Sequence, residues 1–246
     1  MNAYIRLNGE ILYWIFIAPF TGRMFSVQQV FHQIVRIGVR AIPMVALTSL
    51  SVGLTLAMQS AQELKKLGGE DFVPNLVSVS LLRELGPVLT AVIVIGRSGS
   101  AVTAELGTMK VSEEIEALRV MAINPVYFLV VPRFLAMLVM LPTLTVFGNC
   151  VGILGGWTVC RWALNMSTAN YVMSALNSSN VWDLYSGLIK SFVFAWLVIT
   201  IACKTGLAVE GGAEGVGHAT TISVVAALLV MLVANAVLTS FFFVLL

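Results

Sequence analysis

Charge is what this chain has least of. Only 11% of its 246 residues are Asp, Glu, Lys or Arg, against about 25% in soluble domains. With 59% hydrophobic residues and a mean hydropathy of +0.95, a soluble fold of this length could not hide its apolar surface. The net charge of +2 is too small for a nucleic-acid partner. Cysteine is equally scarce: Cys150, Cys160 and Cys203 lie in or beside apolar runs without metal-ligand spacing, so small buried hydrophobes are expected and no metal site. No Walker motif, GxGxxG, HExxH or nucleophile elbow occurs, and the glycines after Lys204 lack the GK[ST] order that cradles phosphate. No catalytic residues are therefore assigned and the chain is not read as an enzyme. No cleavable signal peptide is expected, because the start contains Glu10 and lacks a small-residue cleavage site.

What remains is continuous apolar sequence. A span takes about 20 residues, and unbroken runs favour helices over the alternating strands of a membrane barrel. The reading is an all-α integral membrane protein with an N-terminal interfacial helix and five transmembrane helices. Residues 1–33 mix Trp14, Phe16, Phe20, Phe25 and Phe31 with Arg6, Glu10, Arg23 and His32, as in a helix lying in the interface. Residues 34–246 form the membrane domain. The spans are expected near Ile42–Leu64, Val73–Gly107, Pro132–Cys160, Trp182–Ala202 and Thr220–Leu246. The second is too long for one straight crossing, and Gly86-Pro87 is where it should bend. Gly148, Gly152 and Gly156, with Gly155 beside them, give the third a flat packing face. A short surface helix is expected at Tyr171–Leu176, and a glycine-rich loop at Lys204–Ala219. A cytoplasmic N-terminus puts Arg6, Arg23, Arg36, Arg40, Lys110, Arg119, Arg133 and Lys204 inside, and Lys65, Lys66 and Arg161 outside. That bias obeys the positive-inside rule.

Two features stand out from this scaffold. Arg83, Glu84 and Lys190 lie within apolar runs, where a mid-bilayer charge costs about 2.5–3.5 kcal/mol on insertion scales. Adjacent helical residues point about 100° apart, so Arg83 and Glu84 cannot simply cancel, and Lys190 is the expected partner of Glu84. Two readings are open: a polar substrate path, or an ion-pair network that fixes helix register. Arg97 and Glu105 lean to the second, and are two turns apart, too far for a direct pair. The other feature is a charged helix outside the membrane, about residues 112–122. Ser112 is its expected N-cap. Glu113, Glu114 and Glu116 occupy the first turn, and Val111, Ile115, Leu118 and Ala122 form one apolar stripe. Such a helix suits a groove on a soluble partner.

The stretch LLRELGPVLTAVIVIGRSGSAVTAELGTMKVSEEIEALRVMAINPVYFLVVPR, Leu81 to Arg133, is very similar to the signature region of the MlaE-type permeases of MCE transport systems. The resemblance implies an ABC transporter permease in the bacterial inner membrane, moving phospholipid between that membrane and a periplasmic MCE-domain carrier. It implies a homodimer with two copies of a separate ATPase, which would bind ATP and Mg, while this chain binds no cofactor. In Mla-type systems a small STAS-domain protein joins the ATPase. By resemblance, the helix carrying Glu113, Glu114, Glu116, Leu118 and Arg119 couples to the ATPase, and Arg83, Glu84 and Lys190 lie near a lipid cavity. The competing reading is an ion-coupled secondary carrier using Glu84 and Lys190. Such carriers often show internal repeats, and none is found here.

Overall fold

The computed structural model describes residues 2–16, 27–178 and 180–245. Among them there are helices and connections, and no strand. The helices are α1 (Asn2–Phe16), α2 (Val27–Ile37), α3 (Ile42–Lys66), α4 (Val73–Ser80), α5 (Gly86–Val94), α6 (Ser100–Val111), α7 (Glu114–Val120), α8 (Val131–Ala163), α9 (Thr168–Ser178), α10 (Val181–Leu207) and α11 (Gly212–Leu245). Five stretches are long and apolar enough to cross a membrane: Val27–Lys66, Glu70–Val111, Val126–Ala163, Val181–Leu207 and Gly212–Val244.

Several boundaries correct the sequence reading. The N-terminal region holds two helices, α1 and α2, where one was expected; Phe20, Arg23 and Phe25 lie outside the described residues. The second span is a helical run interrupted by wide π turns at Leu81–Leu85 and Ile95–Gly99, and a third π turn, Val126–Val130, opens α8. The irregularity expected at Gly86-Pro87 is thus a π turn immediately before it. The glycine-rich loop is much shorter than expected, since α10 continues to Leu207 and α11 begins at Gly212. Glycine weakens a helix by about 1 kcal/mol per residue, too little to stop one once its context favours it. The surface helix α9 is longer than Tyr171–Leu176, and Tyr171 is buried.

The chain forms two compact units. The first comprises Met1–Ala41, Val92–Met140 and Val193–Ser240; the second comprises Ile42–Ala91, Leu141–Phe192 and Phe241–Leu246. In the first unit α1 lies on α10. Ile11 is fully buried, Tyr4 hydrogen-bonds Thr200 through their hydroxyls at 2.7 Å, and Trp196 donates to the Asn8 side-chain oxygen at 2.9 Å. Phe134 meets Trp196 edge-on, 5.0 Å between centroids. Trp and Tyr bring apolar bulk but need a partner for their polar ends, and here both have one.

In the second unit, Ala57, Ala61, Val73, Val77, Leu81, Val159, Cys160 and Tyr171 make one buried cluster. Its helices approach closely because small residues allow it. A Cβ on Gly53 would strike the backbone of Gly152. The three glycines of the expected packing face do not meet one common helix. Gly148 faces Val45 and Ser49 of α3, Gly152 faces Ser49 and Leu81, and Gly156 faces Val77 and the Tyr171 hydroxyl. Of the cysteines, Cys160 and Cys203 are buried and Cys150 is exposed.

Candidate functional site: an intramembrane charge cluster and a charged surface helix

Lys190 is among the most deeply buried large side chains in the chain, at 1% exposure. Its ammonium meets the Glu84 carboxylate in a short ion pair, as the two opposite charges within apolar runs lead one to expect. It also donates to the main-chain oxygen of Arg83 at 3.2 Å. That second bond has a local cause. In an α-helix the Arg83 carbonyl would accept from residue 87, which is a proline and has no N–H. The Arg83 carbonyl thus lacks its α-helical donor, and Lys190 donates to it. The RELGP sequence therefore places a carboxylate and a freed carbonyl where one lysine can serve both.

Arg83 points elsewhere. Its Nε lies 3.3 Å from Asp183 Oδ1, a partner not singled out from the sequence. Asp183 Oδ2 accepts from the Asn180 backbone N–H at 2.9 Å, and the Asp183 N–H returns a bond to the Asn180 carbonyl. The first bond is one half of a capping box, an acid at the third helical position reaching back to the N–H that precedes α10, and the second is a main-chain turn bond. The second unit thus holds Arg83, Glu84, Asp183 and Lys190 as two adjacent ion pairs with no net charge. Glu84 and Arg83 are each 37% exposed along their side chains, while Lys190 and Asp183 are nearly covered. The cluster presents one acid and one base outward from a buried footing.

The charged helix α7 belongs to the first unit and is shorter than expected. Ser112 does not cap it: its hydroxyl donates to the Thr108 carbonyl, at the end of α6, and to Glu114. Glu113 stands at the turn into α7 with φ of 60°, a left-handed geometry that few side chains adopt. At the other end Ala122, also left-handed at φ 59°, closes a Schellman turn, with Ile123 N–H to Leu118 O and Ala122 N–H to Arg119 O. Glu116 accepts from Lys110 at 2.5 Å and pairs with Arg119 at 3.1 Å. The Lys110 hydrogen bond, with help from Arg119, holds the Glu116 carboxyl below its usual value of 4.5.

The apolar stripe does not face outward as a unit. Ile115 is buried and Leu118 half-buried, so they anchor the helix to its own chain. Glu113, Glu114 and Arg119 are exposed. The outermost apolar groups are Val120, 89% exposed, and Met121, 61%. Neither drew attention in the sequence, because periodicity picks out the stripe and not the helix end. Glu105 behaves as a structural group. Its carboxylate is shared by Arg36 and by the buried Arg133, the latter at 3.2 Å.

Comparison with known proteins agrees with this architecture. The family model described as Permease MlaE matches residues 30–241. A probable ABC transporter permease protein of Rickettsia typhi is 36% identical over 214 residues, covering 87% of this chain and 83% of its own. The intermembrane phospholipid transport system permease protein MlaE of Haemophilus influenzae is 36% identical over 209 residues, 84% of this chain and 80% of its own. The chloroplastic protein trigalactosyldiacylglycerol 1 of Arabidopsis thaliana is 37% identical over 212 residues, 86% of this chain and 61% of its own. A match of that extent takes in both charged features, three of the five apolar spans whole and all but three residues of each of the other two, and on it this multi-pass membrane protein belongs to the MlaE permease family.

Proposed function

We propose that this chain is the membrane permease subunit of an ABC transporter that moves phospholipid between the inner membrane and a periplasmic MCE-domain carrier. It acts as a homodimer with two copies of a separate ATPase, which binds ATP and Mg and does the hydrolysis. A STAS-domain protein accompanies the ATPase, and the N-terminus is cytoplasmic. The observation that carries this reading is the match over residues 30–241 to a permease family, with relatives named for ABC transport and for intermembrane phospholipid transport.

The two charged features take roles within it. The exposed ends of Arg83 and Glu84 line the lipid path and meet a headgroup, while Lys190 and Asp183 hold them in place. Helix α7 is the coupling helix. Its ion pairs Lys110–Glu116–Arg119 stiffen it, and Val120 and Met121, with Glu113 and Glu114 at the other end, present the surface the ATPase grips. A short helix anchored by Ile115 transmits force better than a tethered loop, because its core side cannot yield separately.

The test is native mass spectrometry of the tagged chain expressed with its genomic neighbours and released gently from membrane. Two copies of the chain with two ATPase subunits and bound phospholipid are expected. Val120→Asp with Met121→Asp should release the ATPase and leave the dimer and its lipid. A chain that emerges alone, and that transports under a pH gradient without regard to ATP, would replace this reading with an ion-coupled carrier built on Glu84 and Lys190.

A further inference from the structure

A separate cavity of about 230 Å³ lies in the first unit. One wall is the α2 end of the chain, Gln33, Arg36, Ile37 and Arg40; the other is Arg97, Ser98, Ala101, Val102 and Glu105. The first set recurs at helical spacing and so shares one face. The two walls are tied together by the buried Ser98 hydroxyl, which donates to the Ile37 carbonyl at 2.8 Å. The cavity shares no residue with the Arg83–Glu84–Asp183–Lys190 cluster.

Its charge is unbalanced. Three guanidinium groups face one carboxylate, and that carboxylate, Glu105, is already held by Arg36 and Arg133. Among the described residues, Arg40 and Arg97 have no acid within ion-pair distance; Arg97 reaches only the Ser98 hydroxyl, at 3.5 Å. The Gln33 side-chain oxygen is buried without a hydrogen-bond partner, and an amide can present either its oxygen or its NH2. Arginine forks match phosphate oxygens two at a time.

The depth of the cavity follows from the neighbouring face of the same segment. Val27, Phe31, Val35 and Val39 are all exposed, from 45% to 62%, and recur every four residues. An apolar stripe beside a cationic one seats such a helix at the boundary of headgroups and acyl chains. The volume is below the roughly 300–1,000 Å³ of a pocket that encloses a whole drug-sized ligand, so it fits a headgroup whose tails lie outside.

We propose that this cavity binds the phosphate of an anionic membrane phospholipid, with Arg40 and Arg97 as the ligating pair. The site does not depend on the transport reading, because a resident lipid would serve equally to seat α2 on any membrane protein. Arg40 is exposed, so its replacement leaves the fold intact.

The experiment titrates short-chain phosphatidylglycerol into the detergent-purified full chain and counts bound lipid by native mass spectrometry. Arg40→Gln and Arg97→Gln should each weaken one site about tenfold, the loss of a charge-assisted bond. Arg97→Lys should recover part of it, and Arg161→Gln, an exposed arginine outside the cavity, should change nothing. Unchanged lipid binding in both Gln variants, with elution profiles like that of the unmodified chain, would overturn the proposal. So would inorganic phosphate competing at concentrations comparable to the lipid, which would assign the site to a soluble anion.

Discussion

The two charged regions use the same side chains and differ in what surrounds them. In the second unit Lys190 is 2% exposed along its side chain; in the first, Lys110 is 30% and its partner Glu116 is 43%. Both lysines bond a glutamate at short range. At the surface, water competes for each charge and a pair contributes between zero and about 1 kcal/mol. In the apolar interior the attraction is stronger, but so is the cost of bringing the charges there. A buried pair therefore adds little net stability while making the loss of either partner severe. Lys110–Glu116 can be lost cheaply; Glu84–Lys190 can only be lost together.

The largest effect expected from this contrast is Glu84→Gln. It leaves a covered ammonium facing a neutral amide and should cost about 3–5 kcal/mol, read as loss of the monodisperse peak after graded heating in detergent. Lys190→Met should cost less, because the freed Glu84 carboxylate is partly exposed and can be solvated. The double variant Glu84→Gln/Lys190→Met should recover most of the loss. A double variant no better than the worse single would break the comparison.

Next is Glu105→Gln, which strips the buried Arg133 of its carboxylate. About 3 kcal/mol is expected, the low end for a broken buried pair, since Glu105 is itself 23% exposed. The same heating series measures it, and a loss as small as that of a surface pair would place Glu105 with the second kind of site. The smallest effect belongs to Glu116. Its carboxyl is held below 4.5 in the folded chain, so its contribution is present above the unfolded value and is lost as pH falls through the lower folded one. The hydrogen-exchange protection factors of residues 114–120, rates divided by the intrinsic rate at each pH, should be flat above pH 5 and fall as the pH drops below 4.5, and Glu116→Gln should abolish that step.

Much of this was legible in the amino-acid order. Five apolar runs could only be spans, and Glu84 and Lys190 were opposite charges in apolar surroundings that needed each other. Asp183 was not legible: it sits at the beginning of a span, where an acid reads as a simple helix-start residue, and only the approach of residue 83 makes it a partner. Ser112 was misread because Ser followed by acids is a genuine capping pattern, yet the same hydroxyl can bond backward to the preceding turn. The sharing of Glu105 by Arg36 and Arg133 depends on residues 69 and 28 positions away, a distance that periodicity cannot cross. Glycine misled between Lys204 and Ala219, where propensity is a weak prior against packing.

The π turns at Leu81–Leu85 and Ile95–Gly99 carry a consequence for how length can vary in this chain. Each holds one residue more than an α-helical turn would, and so acts as slack in an otherwise rigid count. Removing a single residue from Leu81–Leu85 would return that turn to α geometry and leave the faces of α5 unrotated. Removing one from within α5 has no such slack to draw on and would swing every later side chain by about 100°. The chain can be shortened at its irregular turns and nowhere between them.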